Sequence, residues 1–267
     1  MKSAERQRQI ASLVAVHGRV TVIGLASQFG VTAETIRRDL ARLESQGVLY
    51  RVHGGAVPTR GYRTENTPIE QRRLAASESK KAIRTAALDY LPQGGGTIFL
   101  DAGSTTGLMA EHIATTGVAE LDRAREPLKV VTNSLHNAAL LAQTTQCDVQ
   151  LLGGQVRSSS KATIGDVALR TLGGLRGDVA FIGTNALTVE HGLSTPDNHE
   201  AALKRAMLVH AKKVIALCDS TKLGIDYLVS FATLSEVDVL ITDQYAPPSF
   251  VRSLSDEGLD VVIAQGD

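Results

Sequence analysis

Apolar positions in the first fifty residues recur with a helical period. Ile10, Leu13 and Val14 stand at i, i+3 and i+4 and predict a helix over 4–17, ended by Gly18. Thr21 is placed to cap a second helix over 22–29, with Leu25, Ala26 and Phe29 facing inward. After a turn at Gly30, Thr32 is placed to cap a third helix from Ala33 to the neighbourhood of Gln46. At about 100° per residue, Ile36, Leu40 and Leu43 form one narrow stripe, Thr35, Arg38 and Arg42 lie opposite, and Arg37 is at the flank. Two short helices around a Gly-containing turn predict a helix-turn-helix. Beyond Gly47, 48–53 reads as extended, and Gly54-Gly55 as the tip of a β-ribbon.

The pattern then changes. Pro58, Gly61, Asn66 and Pro68 mark 58–68 as a linker, and 69–91 reads as a charged helix connecting two domains. From Thr97 onward, short apolar runs at 97–100, 129–131, 149–152, 179–182, 214–217, 237–241 and 261–263 alternate with helical segments. That alternation predicts an α/β domain with a largely parallel sheet. The expected organisation is a head over 1–57, a linker and connecting helix over 58–91, and an α/β domain over 92–267.

Most of these runs are followed by small polar residues: Asp101-Ala-Gly-Ser-Thr-Thr106, Thr132-Asn-Ser134, Gly153-Gly154, Gly183-Thr-Asn185, Asp219-Ser-Thr-Lys222 and Thr242-Asp243. In an open α/β sheet such sequels gather at the carboxyl edge, where ligands bind. A helix starting near Thr105 or Thr106 offers its N-terminus to an anion. Lys222 sits in a turn directly after a strand, beside Asp219 and two hydroxyls, which favours anion binding. Glu200 and Lys204, four apart in a helix that Asn198 is placed to cap, read either as a surface ion pair or as a route for Lys204 or Arg205 to the sheet edge.

The 267 residues carry equal numbers of basic and acidic side chains, yet 1–60 holds nine Lys/Arg against four Asp/Glu, leaving the remainder acidic. A basic end on an acidic body suggests a module for a polyanion joined to one for something else. An outer helix face of Arg and Thr suits a DNA major groove, where Arg forks onto guanine O6 and N7; a solvated surface is the other reading. The longest apolar runs fall far short of a bilayer span, no signal-peptide core follows Met1, and Cys147 and Cys218 read as reduced core thiols. An intracellular protein without membrane association, metal or cofactor is expected; neither GxxxxGK[ST] nor GxGxxG occurs, and the histidines lack metal spacing.

The segment from Thr32 to Ala56, containing Thr-Ile-Arg-Arg-Asp-Leu and, downstream, Arg51-Val-His-Gly-Gly-Ala56, resembles the two-part signature of DeoR-type bacterial transcription regulators. The resemblance implies a winged helix-turn-helix on double-stranded operator DNA, with Thr32, Thr35, Arg37, Arg38, Arg42, Arg51 and His53 at the DNA and Asp39 holding an arginine or a helix end. Phe99-Leu-Asp-Ala-Gly-Ser-Thr-Thr106, Val131-Thr-Asn-Ser134, Leu152-Gly-Gly154, Asp178-Val-Ala-Phe-Ile-Gly183 and Asp219-Ser-Thr-Lys222 resemble the family's effector domain in order. That domain is similar in fold to ribose-5-phosphate isomerases and CoA transferases, and in the family it senses phosphorylated sugars. The match implies effector contacts at Asp101, Gly103, Ser104, Thr105, Thr106, Asn133, Ser134, Gly153, Gly154, Lys204, Asp219 and Lys222. The stretch 184–194 departs from the family pattern, so no role carries over to Asn185 or His191. The whole chain looks most like actinobacterial repressors of fructose and sugar-phosphotransferase genes, which implies a repressor with fructose 1-phosphate as effector; because one helix-turn-helix reads only a short half-site, a homo-oligomer (dimer or tetramer) is expected. The rival reading is an isomerase-like enzyme using Asp101, Asp219, Glu200 and Lys222 for acid/base work.

Overall fold

A computed structural model describes residues 2–59, 66–92, 95–116 and 127–266. The head starts with α1 (Ser3–His17), which ends where Gly18 takes a left-handed conformation at φ 66°. A two-residue strand β1 (Val20–Thr21) leads into α2 (Val22–Phe29), and α3 (Ala33–Ser45) follows the turn at Gly30. Both caps form: Thr21 Oγ1 accepts from the Gly24 amide at 3.1 Å, and Thr32 Oγ1 from the Thr35 amide at 3.2 Å. Strands β2 (Leu49–Val52) and β3 (Gly55–Pro58) make the wing. The wing turn lies at His53-Gly54; Gly55 is already in β3, paired with Thr21, so the expected Gly-Gly tip is shifted by one residue. Ile10, Val14, Leu25, Ile36, Leu40, Leu43 and Leu49 close the head's core.

The expected linker falls partly outside the described residues: Gly61 is among 60–65. Where one helix is expected over 69–91, there are two, α4 (Ile69–Leu74) and α5 (Ser77–Leu88), separated at Ala75-Ala76. Ala76 stands at φ 49°, a left-handed conformation that costs a non-glycine residue about 1–3 kcal/mol. Lys80, 1 % exposed, turns its ammonium back to the carbonyl oxygens of Arg72 and Ala75, the otherwise open end of α4. Nor is α5 a free connector. Ala82, Ile83, Ala87 and Leu88 pack into the core beneath the sheet, so this helix is part of the large domain.

The large domain consists of β4 (Thr97–Leu100), α6 (Ser104–Thr116), β5 (Leu128–Thr132), α7 (Leu135–Leu141), β6 (Cys147–Leu151), the hairpin β7 (Gln155–Arg157) and β8 (Ala162–Ile164), and α8 (Asp166–Gly173). There follow β9 (Gly177–Gly183), β10 (Ala186–Thr188), β11 (Gly192–Thr195), α9 (Asn198–Val209) and β12 (Ala211–Leu217). A 3-10 turn (Ser220–Lys222), β13 (Val229–Ala232), β14 (Val239–Asp243), α10 (Pro248–Asp256) and β15 (Asp260–Ala264) complete it. Seven strands form one parallel sheet in the order β15-β14-β12-β9-β4-β5-β6. Each apolar run read as a strand contributes a strand to it, although β14 starts two residues later than its run and Leu152 lies beyond the end of β6.

Alternate residues of the central strands enter opposite cores, as period-2 geometry requires. Val179 and Phe181 pack with Ile83, Met109 and Ile113, whereas Ala180 and Ile182 pack with Leu172, Met207 and Leu254. Helices therefore cover both faces. The strand order reverses between β4 and β9, and at that switch point the carboxyl ends of neighbouring strands splay to leave a crevice. No described helix is long and apolar enough to cross a membrane.

Candidate functional site

On the head, Arg37 and Arg38 project from α3 into solvent, meeting only the exposed Glu34 at 3.4 and 3.8 Å. Exposed pairs of this kind contribute little, so both guanidinium groups are free to exchange Glu34 for phosphate or base. The Thr32 hydroxyl caps α3 and lies 2.9 Å from that of Thr35. Arg51 is held by Glu44, through its Nε at 2.5 Å and its amide at 2.9 Å, which ties the wing to the end of α3. His53 is exposed at the wing turn. Arg42 faces the space between head and sheet domain, lining it together with Arg72 and Lys222. Asp39 is buried and takes no outward role: it binds Arg6 Nε at 2.5 Å and Gln7 at 2.7 Å, fixing α3 to α1.

The crevice of the large domain is organised around Asp101, which follows β4. Its Oδ1 accepts from the Gly103 amide at 2.9 Å and the Thr106 hydroxyl at 2.7 Å. Its Oδ2 accepts from the Gly183 amide at 3.0 Å, across the switch point, and from Lys204. Four donors occupy this carboxylate. Lys204 also donates to the Gly183 carbonyl at 2.8 Å and stands 5.6 Å from the centre of the Phe231 ring. Of the two readings of Glu200 and Lys204, the i,i+4 ion pair does not form and Lys204 reaches the sheet edge; Glu200 faces Arg157 at 3.6 Å, and Asp197, not Asn198, caps α9.

Above this frame lies a small cavity bounded by Gly103, Ser104 and Thr105 at the N-terminus of α6, by Asn133, and by Lys204 and Lys222. Thr105 Oγ1, Asn133 Oδ1 and Ser160 Oγ are buried in its neighbourhood without hydrogen-bond partners in the protein. Buried polar atoms are rarely left without partners, and a cavity lined by them suits a polar occupant. Its cations come from three directions, because Arg72 of α4 also lines it, with Nε buried and unpartnered. Burial pushes the Arg72 pKa down, while Glu200 and Asp101 act against that shift.

The remaining expected contacts lie around this cavity or away from it. Thr106 spends its hydroxyl on Asp101, and Ser134 caps α7 at the Asn137 amide. Asp219 faces the neighbouring space between head and sheet domain, paired with Lys222 at 3.3 Å and Thr221 at 2.5 Å. Burial raises its carboxyl, but Lys222, Lys80 and Thr221 outweigh this and hold it below the usual range. Gly153 and Gly154 do not line the cavity: they sit in the β6–β7 turn, where Gly154 lies against the Ile164 carbonyl. His191 is exposed, bound to Asp226 at 2.8 Å, whereas Asn185 lines the cavity. Sequence reasoning left out Arg72, Ser160 and Asn185. Only Asn185, following a strand end, carried a signal of position.

The head is anchored to this same site. Ser12 Oγ of α1 lies 2.8 Å from the Ser220 carbonyl oxygen and 2.9 Å from that of Leu223, on either side of Lys222. Gly224, at φ 70°, lets α1 approach so closely that a Cβ there would stand 2.7 Å from Val16. Glu5 accepts from the strained Ala76 amide at 3.2 Å.

Residues 6–60 match the DeoR-like helix-turn-helix domain, and 75–244 match the DeoR C terminal sensor domain. The chain is similar to the HTH-type transcriptional regulator GlpR of Haloferax volcanii, 37 % identical over 262 residues and covering 98 % of each chain. It is 32 % identical to the HTH-type transcriptional repressor CsqR of Escherichia coli, over 98 % of this chain and 96 % of that one. The Glycerol-3-phosphate regulon repressor of Escherichia coli is 30 % identical over 98 % of this chain and 99 % of its own. Among solved structures, ribose 5-phosphate isomerase A of Methanocaldococcus jannaschii overlays 54 % of this chain and 53 % of its own, with a TM-score of 0.39 at 16 % identity.

Proposed function

The chain belongs to the DeoR family of transcription regulators, and from that premise we propose that it represses sugar uptake or catabolism genes and leaves its operator when a phosphorylated sugar binds the cavity beside α6. The observation that carries the effector reading is the set of buried, unpartnered polar atoms, Thr105 Oγ1, Asn133 Oδ1 and Ser160 Oγ, gathered under Arg72 and Lys222 at a helix N-terminus. Hydroxyl and amide groups suit a sugar, and cations with free amides suit its phosphate. Fructose 1-phosphate is the first candidate, from the likeness of Ile182-Gly-Thr-Asn-Ala-Leu187 and Tyr227-Leu-Val-Ser-Phe231 to fructose-gene repressors.

Against the enzyme reading, Asp101 is saturated by donors and Asp219 is ion-paired with Lys222; Glu200 lines the cavity with Oε1 free of hydrogen bonds, but faces the Arg157 guanidinium at 3.6 Å. The same bonds make good sense in a sensor, where they fix the loops that the ligand reads.

The cavity holds about 20 Å³, little more than a water. A sugar phosphate needs the cavity to widen, and the wall of Arg72, Asn185 and Lys222, which separates it from the larger neighbouring space, offers the room; Lys222 stands in the loop held by Ser12. Ligand entry is thereby coupled to the seat of the head. One head reads a short half-site, so the operator-bound form is a homo-oligomer, dimer or tetramer, with heads spaced by about one helical turn or a multiple of it. Light scattering of a monomer, alone and on DNA, contradicts that arrangement. A thermal-shift screen with phosphorylated sugars, glycerol 3-phosphate included, tests the effector reading: a ligand at about 100 times its Kd adds about 2.7 kcal/mol of stability. No stabilisation by any of them rejects it.

A further inference from the structure

Next to the small cavity, the space between head and sensor measures about 420 Å³, within the usual range of small-molecule sites. Arg72, Asn185 and Lys222 stand in the walls of both. The larger space is basic. Arg8 and Arg42 reach it from the head, Arg72 and Lys80 from the α4–α5 segment, and Lys222 from the sensor, with Asp219 as the carboxylate among them.

The partners of these cations leave charge to spare. Arg8 has Glu5 at 2.8 Å and Lys222 has Asp219 at 3.3 Å. Lys80 is held by uncharged carbonyls, the Arg72 Nε has no partner, and Arg42 forms no ion pair among the described residues. Gathering like charges between two protein surfaces is unfavourable until an anion joins them. Guanidinium groups converging from both walls call for an anion with several acceptor oxygens, which a phosphoryl group provides.

We propose that the seam between head and sensor is a second phosphoryl-binding site, in which Arg8 and Arg42 of the head and Arg72 and Lys80 of the α4–α5 segment share one anion. It rests on the effector reading above and extends it across the domain boundary. The occupant is either the second phosphate of a sugar bisphosphate spanning both compartments or inorganic phosphate bound beside a monophosphate. In either case the anion touches the helix that carries Arg37 and Arg38, so its presence bears directly on DNA binding.

Calorimetry on the full chain separates these sources and tests the site. Fructose 1-phosphate is titrated in phosphate-free buffer and again with inorganic phosphate present, and fructose 1,6-bisphosphate is titrated alone. We expect a gain of at least tenfold in affinity over fructose 1-phosphate alone, from the bisphosphate if it spans both compartments or from added phosphate if the anions are separate. Arg8→Gln/Arg42→Gln reduces that gain to less than twofold and leaves fructose 1-phosphate alone unchanged, while Arg8→Lys/Arg42→Lys keeps most of it, which excludes loss of the head's fold as the cause. Absence of a gain from both sources, or a gain that survives the Gln pair, overturns the second site. Failure of fructose 1-phosphate alone to bind the wild type counts instead against the effector assignment.

Discussion

The Ser12 hydroxyl lies 2.8 Å from the Ser220 carbonyl oxygen, joining the first helix of the DNA-binding head to the loop that places Lys222 in the wall of the cavity beside α6. From Ser12 the same helix continues back to Arg6, which holds Asp39 of α3 at 2.5 Å. A displacement of the Lys222 loop therefore acts on a helix that is itself bonded to the one bearing Arg37 and Arg38. Ser12→Ala removes the single hydroxyl proton shared by the Ser220 and Leu223 carbonyl oxygens, at a cost of about 1 kcal/mol. The expected result is operator binding that persists without ligand, with at least a threefold smaller effect of the sugar phosphate on operator affinity. Fluorescence anisotropy with labelled operator reads both; an unchanged effect shows that coupling runs elsewhere.

Arg37 and Arg38 are the most direct test of the DNA-binding face. If Arg38 reads a guanine, Arg38→Ala costs about 1–3 kcal/mol at that base pair and little elsewhere. If Arg37 contacts a phosphate, Arg37→Ala weakens all sequences alike and lowers the salt slope by about one. Operator binding by the double variant at wild-type strength removes α3 from the groove.

Lys80 predicts a pH signature. Burial, reinforced by Lys222, Arg8 and Arg72 and opposed by Asp219, pushes its ammonium down from 10.5 to about 8. In the folded state it loses its proton before it does in the unfolded chain, so its contribution to stability grows as pH rises from about 8 to 10.5 and is lost as pH falls through about 8. Tyr90, Cys147 and Cys218 are raised by burial and act in the opposite sense over part of this range. Comparing urea unfolding of wild type and Lys80→Met isolates the lysine: the wild type gains relative to the variant between pH 8 and 10. A difference that stays constant shows that Lys80 titrates as in the unfolded chain.

Much of the fold was legible in the sequence because burial has a period. The stripe of Ile36, Leu40 and Leu43 defined α3, and seven apolar runs defined seven parallel strands. Periodicity is silent about which distant groups meet. Asp101 was recognisable as a residue after a strand, but not as a carboxylate saturated by Gly103, Thr106, Gly183 and Lys204. Spacing left open whether Lys204 pairs with Glu200 or reaches the sheet edge, and only tertiary geometry decides, giving Lys204 to Asp101 and Glu200 to Arg157. Arg72 was hidden for a related reason: the break at Ala76 turns α4 toward the cavity, and no Gly or Pro marks that break.

In the function proposed above, a phosphorylated sugar, held by Lys222 among others, releases the protein from its operator. Reversing the population of operator-competent and operator-incompetent states from 1:99 to 99:1 requires about a 10⁴-fold preference of the ligand, or about 5.5 kcal/mol, which several charge-assisted contacts can supply. The most direct measurement titrates operator complexes of wild type and Lys222→Ala with a panel of sugar phosphates. At least one is expected to dissociate the wild-type complex, while Lys222→Ala binds operator normally and stays bound at every concentration. Normal release of Lys222→Ala, or a wild type indifferent to the whole panel, contradicts the proposed function.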